Sequence, residues 1–104
     1  MTRLVNITEP ARDDLEAIWE YVAQDNAEAA NRIVEEIVGK FATLRDHPYI
    51  GREQDHLLIN LRRFAVRNYL IFYQPFDDKV DIIRVLHGSR DIDSTFERFF
   101  DSLE

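Results

Sequence analysis

The run from Leu61 to Gly88, LRRFAVRNYLIFYQPFDDKVDIIRVLHG, constrains the fold more than any other part of the chain. Phe, Tyr, Val and Ile dominate it, residue types that suit a pleated, half-buried surface. The pattern predicts three consecutive antiparallel strands over about residues 61–67, 69–75 and 79–87. Arg67-Asn68 supplies the first turn, and Phe76-Asp77-Asp78 after Pro75 supplies the second. Charge interrupts the apolar pattern at Arg62, Arg63, Arg67 and Arg84, and Arg90 follows closely. The expectation is a sheet with arginines on one face and apolar residues on the other, equipped to hold a partner.

Strict alternation assigns the side chains to faces. Arg62, Phe64 and Val66 fall on one face of the first of these strands, and Arg63, Ala65 and Arg67 on the other. In the last strand Arg84 shares a face with Ile82 and Leu86, while His87 sits with Ile83 and Val85 at the end, where a side chain becomes accessible.

Upstream, residues 3–8 contain Leu4, Val5 and Ile7 and predict a short edge strand. Thr8 offers an N-cap hydroxyl, with Glu9 and Pro10 in the first turn, where negative charge and a missing N–H are tolerated. Ala11, Leu15, Ile18, Trp19 and Val22 then follow a helical period as one stripe. The opposite face, Asp13, Asp14, Glu16 and Glu20, reads as a solvated acidic surface. Asp25-Asn26 breaks the pattern and caps a second helix, whose stripe of Ala30, Ile33, Val34, Ile37, Phe41 and Leu44 runs to about residue 45. Two helices so closely joined form an antiparallel hairpin. Each stripe residue contributes roughly 1.5–3 kcal/mol when buried, so the hairpin must pack on the sheet. Gly39 inside this second helix costs about 1 kcal/mol, which predicts a close approach there.

Residues 46–60 carry Pro48 and Gly51 without a clean period and read as a loop, with a short turn of helix or strand near Leu57-Leu58-Ile59. A connection this long is expected to take part in binding. Residues 95–103 have helical apolar spacing through Phe96, Phe99, Phe100 and Leu103. The class is therefore α+β: an antiparallel sheet with an N-terminal helical hairpin on one face and a short C-terminal helix.

At 104 residues the chain is expected to form one domain, 1–104, able to bury roughly two-thirds of its unfolded surface. It has no apolar run near the ~20 residues of a membrane helix, and its N-terminus lacks a secretory pattern. The absence of cysteine excludes disulfides and thiolate metal sites; a cytoplasmic location is expected. The formal net charge of −7 argues against nucleic acid as a direct partner. That charge is uneven, because residues 61–90 hold six basic against three acidic side chains. The sheet is a basic island in an acidic chain.

Most catalytic chemistries lack their parts. His47, His56 and His87 have no ligand spacing, three glycines make no phosphate loop, and Ser89, Ser94 and Ser102 lie in no nucleophile-elbow context. The cluster Arg62, Arg67, Arg84, His87 and Arg90, near Tyr69 and Tyr73, admits three readings. It could clamp acidic side chains of a protein partner, it could clamp a phosphate for RNA cleavage, or its arginines could pair within the fold with Asp77, Asp78, Asp81 or Asp91.

LRRFAVRNYLIFYQP followed by VDIIRVLHGSRD resembles the ParE branch of the RelE/ParE toxins of bacterial type II toxin–antitoxin modules. ARDDLEAIWEY in the first helix, DHPYIGR after the second, and Arg62 two residues before Phe64 agree with it, so the resemblance spans about residues 11–91. It implies a small α+β toxin that arrests growth until a ParD-like antitoxin neutralises it, with no cofactor and no metal. ParE-type members with known targets poison DNA gyrase, whereas the RelE branch cleaves mRNA on the ribosome with basic sheet residues and a catalytic side chain, often tyrosine, near the C-terminus. Here no tyrosine follows Tyr73, and Gly88 follows His87. That departure favours a non-enzymatic gyrase inhibitor with no catalytic residue; a ribosome-dependent endoribonuclease and an inactive antitoxin-binding member are the alternatives.

The same resemblance implies that Trp19, Tyr21, Val22, Ile33 and Ile37 pack at or beneath an antitoxin groove, with Arg62, Arg67, Arg84 and Arg90 pairing with acidic antitoxin side chains. Candidate toxicity residues are Arg62, Arg84, His87, Phe96, Phe99 and Phe100.

Overall fold

The computed structural model describes residues 3–103, and their side chains through residue 98. In chain order the elements are β1 (Leu4–Ile7), α1 (Glu9–Ala23), α2 (Ala27–Asp46), β2 (Arg52–Glu53), β3 (Arg62–Val66), β4 (Tyr69–Pro75), β5 (Lys79–His87) and α3 (Ile92–Leu103). Five strands form one sheet in the order β1-β5-β4-β3-β2. The α+β class follows, with the meander and the helical hairpin in the predicted places.

Local chemistry sets the ends of the helices. The Thr8 hydroxyl accepts from the Ala11 N–H and caps α1, and Asn26 Oδ1 accepts from the Ala29 N–H at 3.1 Å and caps α2. Arg67 adopts φ of 54° in the β3–β4 turn, a left-handed conformation that a tight hairpin requires. α3 starts at Ile92, three residues before the expected Thr95, because Asp91 accepts from the Ser94 N–H and hydroxyl.

The sheet is mixed. β2 to β5 are antiparallel, but β1 joins β5 in parallel, with Leu4 opposite Lys79 and Ile7 opposite Ile82. β1 is an edge strand as expected, although its period says nothing about direction. The 46–60 connection does contain ordered structure, but the strand is at Arg52–Glu53 rather than at Leu57–Ile59, which forms turns.

Both sheet faces are apolar, which corrects the expected division into an arginine face and an apolar face. On one side, Ala11, Leu15 and Ile18 of α1 and Ile37, Phe41 and Leu44 of α2 pack on Val66, Ile71, Tyr73, Val80, Ile82 and Val85. On the other, Leu61, Phe72, Ile83 and Leu86 surround Phe96 of α3, whose ring meets Phe72 edge-on at 5.0 Å.

The strict alternation predicted for β5 fails at a bulge. Phe72 lies opposite Arg84 while the next residue, Tyr73, lies opposite Ile82, so Ile83 is an extra residue in β5. Ile82 and Val85 therefore face the hairpin together, and Ile83 parts from Val85 and His87 to join Leu86 on the α3 side. Gly39 is likewise not where a close approach occurs: a Cβ there meets nothing within 4 Å. Among the described residues no helix is long and apolar enough to cross a membrane.

Candidate functional site

β1 ends at Ile7, opposite Ile82, so the outer edge of β5 beyond Ile82 has no strand to pair with. Unpaired backbone groups at a covered edge need other partners. The chain leaving β1 supplies them. Thr8 donates its hydroxyl to the Ile82 carbonyl at 2.7 Å, and Asp14, 1.5 turns along α1, accepts from the Val85 N–H at 2.9 Å. The same Asp14 carboxylate accepts from Arg84 Nε and Nη2 at 2.7 and 2.8 Å, a bidentate pair largely shielded from water. This bond to Asp14 holds the Arg84 guanidinium above its ordinary range against the opposing effect of burial. Asp14 is thus not part of a solvated acidic face, and Arg84 pairs with it rather than with Asp77, Asp78, Asp81 or Asp91.

Beyond this clamp, α1 and the end of the sheet diverge and leave a cleft of about 450 Å³. Ala17, Ile18 and Tyr21 of α1 form one wall; Tyr69 of β4 and Val85 and His87 of β5 form the other; Ser89 and Arg90 close the rim. The bulge creates this arrangement, because it turns His87 toward the same side as Tyr69. Their rings meet edge-to-face at 5.3 Å and 85°. His87 Nδ1 accepts from the Ser89 N–H at 3.1 Å and lies 2.7 Å from the Ser89 hydroxyl, so the neutral ring carries its proton on Nε2. Burial, and next the neighbouring Tyr21, push the Tyr69 phenol above its usual range. Among the described residues no carboxylate pairs with Arg90.

The other end of the sheet is closed. Tyr73 is 0% exposed; its hydroxyl donates to the Pro48 carbonyl at 2.8 Å and accepts from the Gly51 N–H at 2.9 Å. Arg62 donates to the Tyr49 and Gly51 carbonyls at 3.1 and 2.7 Å and to Glu53 at 3.2 Å, with its guanidinium 5.2 Å from the Tyr49 ring centre. Arg62 therefore fastens the connection to the sheet.

The expected site residues divide accordingly. Tyr21, 73% exposed, His87 and Arg90 come together in the cleft. Arg62 and Arg84 are held inside the fold, on β3 and β5 to either side of β4. Arg67 lies on the surface, paired with Glu36 of α2. Trp19 donates its indole N–H to Asn31 at 2.7 Å and ties α1 to α2. Val22 and Ile33 are half-buried, while Ile37 and Phe96 are each 1% exposed within the two cores. The side chains of Phe99 and Phe100 lie outside the described residues. Sequence reasoning missed Asp14, Tyr69 and Ser89 as site residues. A Ser two residues after His87 is a local signal that was available; Asp14 meets Arg84 across 70 residues of chain and leaves no local trace.

Residues 5–92 match the family described as "ParE toxin of type II toxin-antitoxin system, parDE". Toxin ParE1 of Caulobacter vibrioides is 34% identical over 80 residues, covering 76% of this chain and 82% of that protein. Among solved structures, the chromosomal ParDE system of P. aeruginosa superposes with a TM-score of 0.71 at 21% identity, covering 83% of this chain and 96% of that chain. A mutant of the E. coli toxin RelE in the free state gives 0.67 at 14% identity, covering 96% and 98%. At such identities these two structures establish a shared fold.

Proposed function

This chain belongs to the ParE toxin family of type II toxin–antitoxin systems, and from that premise we propose that it is neutralised by a ParD-like antitoxin and inhibits DNA gyrase in the cytoplasm without cutting RNA. The observation that carries the non-nuclease reading is the internal commitment of Arg62 and Arg84. Ribonuclease chemistry on this sheet requires cations that reach a phosphate. Arg84 instead grips Asp14, and Arg62 spends its donors on two carbonyls and Glu53. Among the described residues the cleft retains one cation without a carboxylate, Arg90, and an imidazole whose Nδ1 is occupied. The net charge of −7 further opposes docking on ribosomal RNA.

The antitoxin reading draws on the exposed Trp19 and Tyr21 of the hairpin beside the cleft, a surface that suits an amphipathic helix laid into a groove. Inducible expression of the chain, alone and with the small protein encoded beside it, tests the module. Gyrase supercoiling and DNA-cleavage assays with purified chain test the target. Growth arrest relieved by the neighbour, with gyrase-linked DNA breaks, is the expected result. Arrest with intact DNA and cleaved mRNA moves the function to the endoribonuclease class and makes the cleft its active site. Absence of arrest leaves an antitoxin-binding protein without toxicity.

A further inference from the structure

We propose that the cleft between α1 and the end of β5 receives a single apolar side chain of the antitoxin followed directly by an acidic residue, whose carboxylate pairs with Arg90. The proposal rests on the antitoxin-neutralised reading above and adds what the partner must present.

The chemistry of the cleft carries it. Both walls contribute aliphatic surface, Ala17 and Ile18 from α1 and Val85 from β5. A volume of about 450 Å³ falls in the range of roughly 300–1,000 Å³ that takes a drug-sized ligand, room enough for a side chain and its neighbour. Asp14 is the one carboxylate in the lining, and its oxygens already accept from Arg84 Nε, Arg84 Nη2 and the Val85 N–H. It therefore offers an incoming group little. What the rim presents outward is the Nε2–H of His87 and the guanidinium of Arg90, donors with one positive charge that no described carboxylate offsets. Apolar walls below a cationic rim are complementary to an apolar residue with a carboxylate beside it.

A nucleotide fits less well. Tyr69 and His87 meet at 85°, so they do not form parallel faces on which a base could be sandwiched. One unpaired cation in a chain of net charge −7 is also a weak phosphate site. Protein is the class of partner that the observations favour.

The test uses the full chain, isotope-labelled for amide NMR, titrated with the capped dipeptides acetyl-Leu-Asp-amide and acetyl-Leu-Asn-amide and, separately, with adenosine 5′-monophosphate. Resonances of Ala17, Ile18, Val85 and His87 should move with acetyl-Leu-Asp-amide, and acetyl-Leu-Asn-amide should bind about threefold or more weakly, as loss of one partly shielded ion pair predicts. In Arg90→Gln the two dipeptides should become equivalent while the spectrum stays dispersed. Equal binding of both dipeptides to the native chain overturns the proposal, as do movement with the nucleotide alone and no movement at all. The growth assay separates this from the toxin reading. Rescued growth arrest with a silent titration sinks the cleft proposal alone; a positive titration with arrest that the neighbour does not relieve sinks the antitoxin reading, and with it the antitoxin as occupant.

Discussion

Tyr69 and Tyr73 stand four residues apart on β4 and face the same side of the sheet, yet they have opposite fates. Tyr73 is sealed, its hydroxyl bridging Pro48 and Gly51 beneath a loop that Arg62 fastens. Tyr69 stands at the open end beside His87, in a cleft that none of the described side chains fills. The residue type is the same, and so are the strand and the face; what differs is whether the chain returns to cover that end. At the closed end polar side chains tie the fold together. At the open end Asp14, with Arg84 and the Val85 N–H, adds a polar clamp to the apolar packing of α1 on the sheet, and the remaining groups of the cleft stay available.

Asp14→Ala should have the largest effect and tests whether the open end depends on that clamp. The substitution takes away the carboxylate that accepts from Arg84 and from the Val85 N–H, at a cost of about 3 kcal/mol read by denaturant unfolding. Asp14→Asn should recover part of this, because the amide oxygen still accepts. A loss below about 0.5 kcal/mol for Asp14→Ala, the level of an exposed pair, would break the contrast.

Gly51→Ala comes next. Its Cβ would lie 2.5 Å from the Tyr73 hydroxyl and 2.7 Å from the Arg63 carbonyl, so loop or strand must shift, costing about 2–3 kcal/mol in the same measurement. Tyr73→Phe should cost about 2 kcal/mol by stranding a buried N–H and a buried carbonyl, whereas Tyr69→Phe should stay within about 0.5 kcal/mol. Equal losses from the two tyrosines would erase the distinction between the ends. Gly39→Ala should go the other way and stabilise α2 by about 0.5–1 kcal/mol, since the site is open and helical.

The two phenols also predict an alkaline limb. Burial is the main cause that pushes both above the usual tyrosine range; for Tyr73 the Gly51 N–H and Arg62 oppose it in part. A phenol that keeps its proton longer when folded stabilises the fold below the unfolded value near 10. As pH climbs past that value the unfolded chain ionises first, so stability falls. Ultraviolet titration should show two tyrosines ionising above the usual phenol range, and Tyr73→Phe should remove one of them and flatten the fall.

Much of this was legible from the residues. Thr8 and Asn26 cap the helices where their short polar side chains indicated, Arg67-Asn68 turns the first hairpin, and the stripes of α1 and α2 face the sheet. These are local properties, set within a few residues. The direction of β1, the extra residue at Ile83 and the pairing of Asp14 with Arg84 are set by groups about 70 residues apart or by the register of a neighbouring strand, and no local period encodes them. The same limit explains the misreading of the acidic face of α1. Asp13, Asp14, Glu16 and Glu20 look alike in sequence, and only the unpaired edge of β5 distinguishes Asp14.

The bulge at Ile83 gives β5 something akin to two reading frames. Up to Ile82 one set of positions faces the hairpin; after Ile83 the complementary set does. Deleting Ile83 would regularise the strand and leave Val85 and His87 facing the hairpin. Pairing the same residues without the bulge would instead move Val85 and His87 to the α3 side and bring Leu86 in their place. The cleft would then lose its histidine without any substitution. In this fold one residue left out of the pairing specifies a surface as firmly as the side chains that line it.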